Sequence, residues 1–311
     1  MAAFLLLPFS LLYMLGDWLN RHMHRPYRPK ARVICVGNLT LGGTGKTPLV
    51  IHLAERLMRR GLRVGIISRG YGGRLGGARP VLVDVRKHGA RDVGDEPFLI
   101  ASKLNVPVAI GADRAGAARL VEKKADVIVM DDGLQNYTLE QDVRICVFDG
   151  MKGMGNGFVF PAGPLRQSPS ACLWRIDAAV VMGAKNAALE RRIGKHVRAI
   201  FHAKTVPPAD LKRYRGRRAV AFAGIGNPAK FFRMLAEAGV RLERKIAFGD
   251  HHCYRPEELE FLIGAARGDR AILLTTAKDY VKIPPPMRKG FIPVDIGVAI
   301  ENEGKLLEMI D

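Results

Sequence analysis

The run Asn38-Leu-Thr-Leu-Gly-Gly-Thr-Gly-Lys46-Thr47 constrains the fold of this chain more than any other stretch, because an apolar, strand-like segment from Arg32 to Val36 precedes it and Pro48 with a helical pattern follows. A strand that turns through glycines into a helix forms a cradle for phosphate. Glycine lets backbone N–H groups approach the ligand closely, and the helix N-terminus favours an anion. A lysine for the β- and γ-phosphate charge and a hydroxyl for Mg²⁺ complete that chemistry. Gly45, Lys46 and Thr47 supply them in this order. The general pattern asks for glycine five residues before Gly45, where this chain has Thr40, and the doubled Gly42-Gly43 offers a substitute. The expected nucleotide cradle is Thr40, Leu41, Gly42, Gly43, Thr44, Gly45, Lys46 and Thr47.

Short apolar runs alternate with helical patterns around this loop. Strands are expected at Arg32 to Val36, Arg63 to Ser68, Pro80 to Val85, Pro107 to Ile110, Asp126 to Met130, Arg144 to Phe148 and Ala178 to Met182. Such alternation implies an α/β fold of P-loop NTPase type, with a mostly parallel sheet and helices on both faces. Leu49, Val50, Leu53, Ala54 and Leu57 recur at helical spacing behind the loop, and Gly61 is the expected stop. The stretch Lys204 to Arg218, with Pro207, Pro208 and many basic residues, marks a boundary. Beyond it, strands at Arg218 to Ala223 and Ala271 to Thr275 and helices near Pro228 and Pro256 imply a smaller α/β unit. The expected division is 1–28, an apolar helix with a basic flank; 29–206, the nucleotide-binding domain; and 207–311, the smaller domain.

A second motif lies in Val127-Ile-Val-Met-Asp131-Asp132-Gly133, where two carboxylates leave a buried strand. Open α/β sheets bind ligands at the carboxyl ends of their strands, and an NTPase needs an acidic group there to hold Mg²⁺ directly or through water. Thr47, Asp131 and Asp132 are the expected metal ligands. Acidic residues after a strand are also ordinary loop chemistry, and the phosphate loop upstream is what favours the metal reading.

Charge and the N-terminus bear on the partner. A formal charge of +19 points to an anion, which could be nucleic acid, a lipid surface or a phosphorylated substrate. From Ala2 to Leu19 nearly every residue is apolar, with no charged lead and no small-residue cleavage site. A helix starting near Pro8 is too short for the roughly 20 residues that span hydrocarbon. Arg21, His22, His24, Arg25, Arg28, Lys30 and Arg32 follow at once. An apolar helix ending in Trp18 and basic residues suits a segment lying in an anionic bilayer surface; packing on the protein's own core and a single span are the alternatives. Cys35, Cys146, Cys172 and Cys253 are far apart and suggest neither a zinc ribbon nor a disulfide framework.

Further motifs occur in order along the chain: Gly37-Asn38-Leu-Thr with the Gly-Gly-Thr-Gly-Lys-Thr-Pro loop, Ser68-Arg-Gly-Tyr-Gly72, Gly94-Asp-Glu-Pro97, Asp113-Arg114, Asp131-Asp-Gly-Leu-Gln135, Phe160-Pro-Ala-Gly-Pro-Leu-Arg166, Asp250-His-His252 and Thr276-Ala-Lys-Asp279. In this series the chain resembles the tetraacyldisaccharide 4'-kinases, which phosphorylate a lipid disaccharide at the inner membrane of Gram-negative bacteria. Two positions depart from that family's pattern: Leu134 stands in place of phenylalanine and Gln167 in place of glutamate.

The resemblance implies ATP and Mg²⁺ as cofactors and phosphoryl transfer to the 4'-hydroxyl of a tetraacyldisaccharide 1-phosphate in lipid A synthesis. It also implies a peripheral or monotopic location on the cytoplasmic face of the inner membrane, with a lipid substrate, an anionic membrane surface and no obligate protein partner. An attacking alcohol must shed a proton, usually to a positioned carboxylate. The family places its catalytic base at the aspartate corresponding to Asp95, although Asp before Glu and Pro is also an ordinary helix N-cap. It pairs that base with the histidine corresponding to His251; with Asp250 and His252 close by, a metal site is the competing reading, without the spacing that usually accompanies one. Lys46 completes the expected catalytic set. Asn38, Arg69, Tyr71, Arg114, Gln135 and Arg166 are the expected substrate contacts, Lys278 is a further cationic one, and guanidinium forks suit phosphate oxygens.

No recognition helix and no aromatic-basic interleaving are found, and aromatics are only 7% of the chain, so nucleic acid is not expected as the partner. The remaining alternative is a soluble P-loop small-molecule kinase or accessory ATPase.

Overall fold

A computed structural model of the chain describes residues 2–77 and 79–311. Its thirteen strands among these residues are β1 (Arg32–Gly37), β2 (Val64–Ser68), β3 (Val81–Leu82), β4 (Val108–Ile110), β5 (Val127–Asp131), β6 (Val143–Asp149), β7 (Ala178–Met182), β8 (Ala199–Val206), β9 (Arg218–Ala223), β10 (Arg241–Ala247), β11 (Ile272–Thr276), β12 (Phe291–Val294) and β13 (Gly297–Ile300). Nine form one sheet in the order β13-β8-β7-β6-β1-β5-β2-β4-β3, and the other four form a smaller sheet in the order β10-β9-β11-β12.

Within the large sheet only β3 on β4 and β13 on β8 run antiparallel. Strands buried on both faces need apolar residues in both directions, because successive side chains alternate. In β1, Val33 and Cys35 enter one core and Ile34 and Val36 the other. Helix Arg114–Val121 covers the first face through Ala117, Ala118 and Val121, and helix Lys46–Arg59 covers the second through Leu49, Val50, Leu53, Ala54 and Leu57. Each fully buried leucine in that row contributes about 1.5–3 kcal/mol. The latter helix ends as expected at Gly61, whose φ of 85° no β-carbon residue adopts easily and whose N–H donates to Met58 O. The small sheet repeats the scheme, with Ala219, Ala221 and Ala223 on one side of β9 and Val220 and Phe222 on the other.

Four strands escaped the sequence reading: β8, β10, β12 and β13. β13 and the terminal helix Glu303–Ile310 follow the small sheet in sequence yet belong to the large one: β13 pairs with β8, and Leu306, Leu307 and Ile310 enter the core beneath the phosphate-loop helix. Residues 207–311 therefore divide, with 218–294 carrying the small sheet. The chain crosses between the sheets twice, through residues 207–217 and 295–296.

Helix Leu7–Met23 begins with Pro8 in its first turn and buries only Ser10. Ser10 Oγ donates to Val159 O at 2.8 Å, and Met14 packs on the core. Leu5, Phe9, Leu11, Leu12, Leu15, Trp18, Leu19 and Met23 are exposed. No helix of the described residues is long and apolar enough to cross a membrane.

Candidate active site

The carboxyl ends of β1, β2, β4 and β5 open onto one edge, and most of the motifs leave the sheet there. β1 ends in the glycine-rich loop. Asn38, buried at its start, donates from Nδ2 to Thr40 O at 2.6 Å and to Gly42 O at 3.3 Å, so the side chain shapes the loop from within. Gln135 Nε2 donates to Asn38 O at 3.0 Å from outside. The segment Pro164 to Arg166 clamps the loop further: Leu41 N–H donates to Pro164 O and Arg166 N–H to Leu39 O. Gly45 initiates the helix with φ 88°, a left-handed conformation that favours glycine. The Thr44 hydroxyl is buried without a protein partner, and Thr47 is buried in the first helical turn.

β5 delivers Asp131 and Asp132 into different surroundings. Asp131 is 1% exposed, and neither of its carboxylate oxygens has a hydrogen-bond partner. Burial raises its pKa well above the ordinary carboxylate range, and the charges of Glu96 and Asp132 add to the shift. Asp132 turns away with φ 54°. Its oxygens accept from Arg166 Nη1 at 3.0 Å, and Lys46 Nζ lies 3.6 Å from Oδ1. Burial opposes ionisation of Asp132, but Lys46 and Arg166 outweigh it and hold the pKa below its usual value. Arg114 is buried beside Asp131, donates to Gly111 O and has its pKa lowered to about 10 by desolvation.

A buried carboxylate without a protein partner, on the strand beside the glycine-rich loop, has the chemistry of a cation ligand. Mg²⁺ takes one or two carboxylates, a hydroxyl, phosphate oxygens and waters rather than an all-protein cage. Asp131, Asp132 and Thr47 fit that donor set with only two carboxylates, and no group of three or more His, Cys, Asp or Glu is gathered anywhere among the described residues. Asp250, His251 and His252 form no such group: His252 Nε2 pairs with Glu258 at 2.9 Å, and His251 turns to Asp95.

Asp95 opens helix Asp95–Lys103 after Gly94, whose φ is 93°. An added β-carbon at Gly94 would sit 2.7 Å from Tyr71 O, so the Arg69-to-Gly73 loop packs directly on this turn. Asp95 is buried, and its Oδ1 accepts only the adjacent Glu96 N–H at 2.9 Å. Its Oδ2 lies 3.0 Å from His251 Nδ1 and 3.6 Å from Lys278 Nζ, so residues from the small-sheet unit reach a carboxylate of the large one. Burial favours the neutral acid, yet the hydrogen bond from His251 and the charges of Lys278 and Lys282 prevail and lower the Asp95 pKa. The same hydrogen bond raises the pKa of His251. Lys278 is itself held by Glu96 at 3.0 Å. His251 adopts φ 58° and packs edge-on against Tyr71.

Tyr71 is exposed beside this pair, and Arg69, two residues earlier, is exposed as well. Three participants escaped the sequence reading. Glu96 joins Lys278 to the surroundings of Asp131, and its signal lay in the quoted Gly-Asp-Glu-Pro turn. Asp17 and Tyr137 meet Gln167 behind Arg166, and nothing in their local sequence marks them. Leu134, where the resembled pattern has phenylalanine, is buried against Gly37.

Comparisons with known proteins identify the family of the chain. A family model described as Tetraacyldisaccharide-1-P 4'-kinase matches residues 2–311. The chain is 47% identical over 289 residues to the tetraacyldisaccharide 4'-kinase of Gluconobacter oxydans, covering 92% of this chain and 86% of the relative. It is 41% identical over 310 residues to that of Paramagnetospirillum magneticum, covering 99% and 94%. A crystal structure of LpxK from Aquifex aeolicus in complex with ATP superposes with a TM-score of 0.77 at 27% identity, covering 100% of this chain and 98% of that one.

Proposed function

Because the chain belongs to the tetraacyldisaccharide-1-P 4'-kinase family, we propose that it transfers the γ-phosphoryl group of ATP to the 4'-hydroxyl of a tetraacyldisaccharide 1-phosphate, with Asp95 as the base. The loop from Thr40 to Thr47 cradles the nucleotide phosphates, and Lys46 spreads the charge of the transferring group. Thr47, Asp131 and Asp132 would hold Mg²⁺, which would supply charge neutralisation at the nucleotide phosphates. Arg114 and Lys46 balance the carboxylates of that site, and Arg166 keeps Asp132 turned toward the loop.

Asp95 receives the proton of the attacking hydroxyl. Its lowered pKa keeps it ionised at neutral pH, and His251 orients it by donating from Nδ1. Asn38 and Gln135 hold the loop in shape, Arg69, Tyr71 and Arg166 line the approach of the anionic acceptor, and the buried Arg114 acts on it only through the charge it places beside Asp131. The reading rests above all on the 3.0 Å contact between His251 and Asp95, which joins the unit of the small sheet to that of the large one. A catalytic pair assembled from both units closes as they do.

The N-terminal helix brings the acceptor. Seventeen residues at 1.5 Å each reach about 26 Å, short of the roughly 30 Å hydrocarbon core. Its exposed leucines and Trp18, with Arg21 and Arg25 at its end, suit a helix lying in the interface of an anionic membrane on the cytoplasmic side. A soluble small-molecule kinase has no use for such a face.

Incubation of the detergent-solubilised protein with ATP, Mg²⁺ and a tetraacyldisaccharide 1-phosphate tests the reaction. A bisphosphorylated product is expected, and Lys46→Ala and Asp95→Ala should both suppress it. Undiminished product from Lys46→Ala would overturn the mechanism.

A further inference from the structure

Arg166 and Gln167 are neighbours in sequence that face opposite ways. The Arg166 backbone is tied to the phosphate loop and its side chain reaches Asp132. Gln167, 2% exposed, points instead to the N-terminal helix. Its Nε2 donates to Asp17 Oδ2 at 2.8 Å and Oδ1 at 3.0 Å and also meets the Tyr137 hydroxyl. Tyr137 Oη donates to Asp17 Oδ1 at 3.1 Å. Burial and then the Asp17 charge push the Tyr137 pKa up to about 12, so the phenol stays a donor. The Arg175 guanidinium covers the Tyr137 ring, 5.1 Å from its centroid.

From this geometry we propose that Gln167 is a positioning residue: with Tyr137 it latches Asp17 and thereby holds the N-terminal helix in register with Arg166 and the phosphate loop. The proposal rests on the kinase reading and extends it to the delivery of the lipid acceptor. Besides those of Ser10, these are the side-chain hydrogen bonds that fasten helix Leu7–Met23 to the large domain among the described residues; Arg21 also lies over the Trp174 ring and Tyr13 packs edge-on against Phe160. The helix otherwise presents mainly apolar residues to solvent, so its angle depends on few groups. A cavity lined by Tyr13, Met14, Trp18, Arg166 and Ser168 opens directly beside the latch, and a shift of the helix reshapes it.

The chemistry requires an amide at position 167. Asp17 is acceptor-only when ionised, Tyr137 donates one proton, and the remaining donors come from Gln167. A glutamate there would set two carboxylates about 3 Å apart in a partly buried site, where like charges cannot both remain ionised without cost. One carboxyl would hold a proton at low pH and the latch would loosen as pH rises. An amide at position 17 facing a carboxylate at position 167 restores the complement with donor and acceptor exchanged.

The experiment compares wild type, Gln167→Glu, Asp17→Asn and the double variant. Hydrogen exchange across residues 7–23, which needs no substrate, is read together with lipid kinase kinetics at pH 6 and pH 8. Gln167→Glu is expected to speed exchange in the helix and to lower kcat/KM for the lipid at least tenfold at pH 8, less at pH 6, with KM for ATP within twofold of wild type. The double variant should recover to within threefold. Exchange and kinetics of Gln167→Glu unchanged within twofold, or a double variant no better than the single, would overturn the latch. Wild type without lipid kinase activity would instead refute the kinase reading, and the exchange data would still decide the latch.

Discussion

Removing the His251 imidazole gives a quantitative test of the cross-domain pair. The Nδ1 to Asp95 Oδ2 contact is 3.0 Å, and a hydrogen bond to a charged group is worth about 1.5–3 kcal/mol when well buried. The His251 side chain is 39% exposed, and screening reduces that to about 1–2 kcal/mol. His251→Ala should therefore lower kcat roughly 5- to 30-fold. The loss stops there because Asp95 keeps Lys278 at 3.6 Å and the Glu96 N–H at 2.9 Å, which leave it ionised and nearly in place. Asp95→Asn removes the base itself and should cost about 10²- to 10⁴-fold. If the histidine acts through the carboxylate, the double variant falls no further than Asp95→Asn alone. Single-turnover transfer from radiolabelled ATP to the lipid acceptor measures kcat effects, and displacement of a fluorescent nucleotide measures ATP affinity. A His251→Ala rate within twofold of wild type, losses that multiply in the double variant, or an ATP affinity that falls in step with the rate would refute this account.

Asp131→Asn should trade activity for stability: it removes a buried, unpartnered carboxylate, so the metal-free protein should melt about 2–4 °C higher while far more Mg²⁺ is needed for turnover. A lower melting temperature with an unchanged Mg²⁺ requirement would contradict it. Replacing Leu11, Leu12 and Leu15 by glutamine leaves the packed side of the helix intact but removes exposed apolar area, and should weaken sedimentation with anionic vesicles at least tenfold; equal sedimentation would remove the membrane from the reading. The His251 pKa is raised by its partner, so the ion pair is fully present below about pH 6.5 and is lost as pH rises through the higher folded value. An NMR titration should place the His251 midpoint above that of a free histidine, and Asp95→Asn should bring it down; a midpoint at or below the free value would rule out a charged pair.

Much of the large sheet was legible because its signals are local. β1, the glycine loop and the helix behind it follow from apolar alternation, left-handed glycines and a helical row of leucines, all within thirty residues. Asp131 was legible for the same reason, as the last residue of a strand that must be buried on both faces. The missed strands lack those signals. β10 carries four charged residues in seven and lies at a sheet edge, where exposure relaxes the demand for apolar residues. β12 contains Pro293, which argues against an interior strand and is tolerated because β12 is also an edge. β13 is four residues long and pairs with β8 across some ninety residues of chain, a connection that no local pattern announces.

The sequence by itself determined the chemistry the chain carries: a phosphate cradle, carboxylates at a strand exit, an apolar N-terminal helix with a basic flank, and an ordered motif series resembling one kinase family. Those are properties of neighbouring residues, and neighbours interact whatever the rest of the chain does. Only the tertiary structure decided the pairings. Asp95 meets His251 across 156 positions and Gln167 meets Asp17 across 150. Asp131 is left without a partner while Asp132 turns to Lys46 and Arg166. Hydrogen bonds and charge interactions act over a few ångströms, and it is the packing of two sheets and one helix that brings residues so far apart in sequence within that reach.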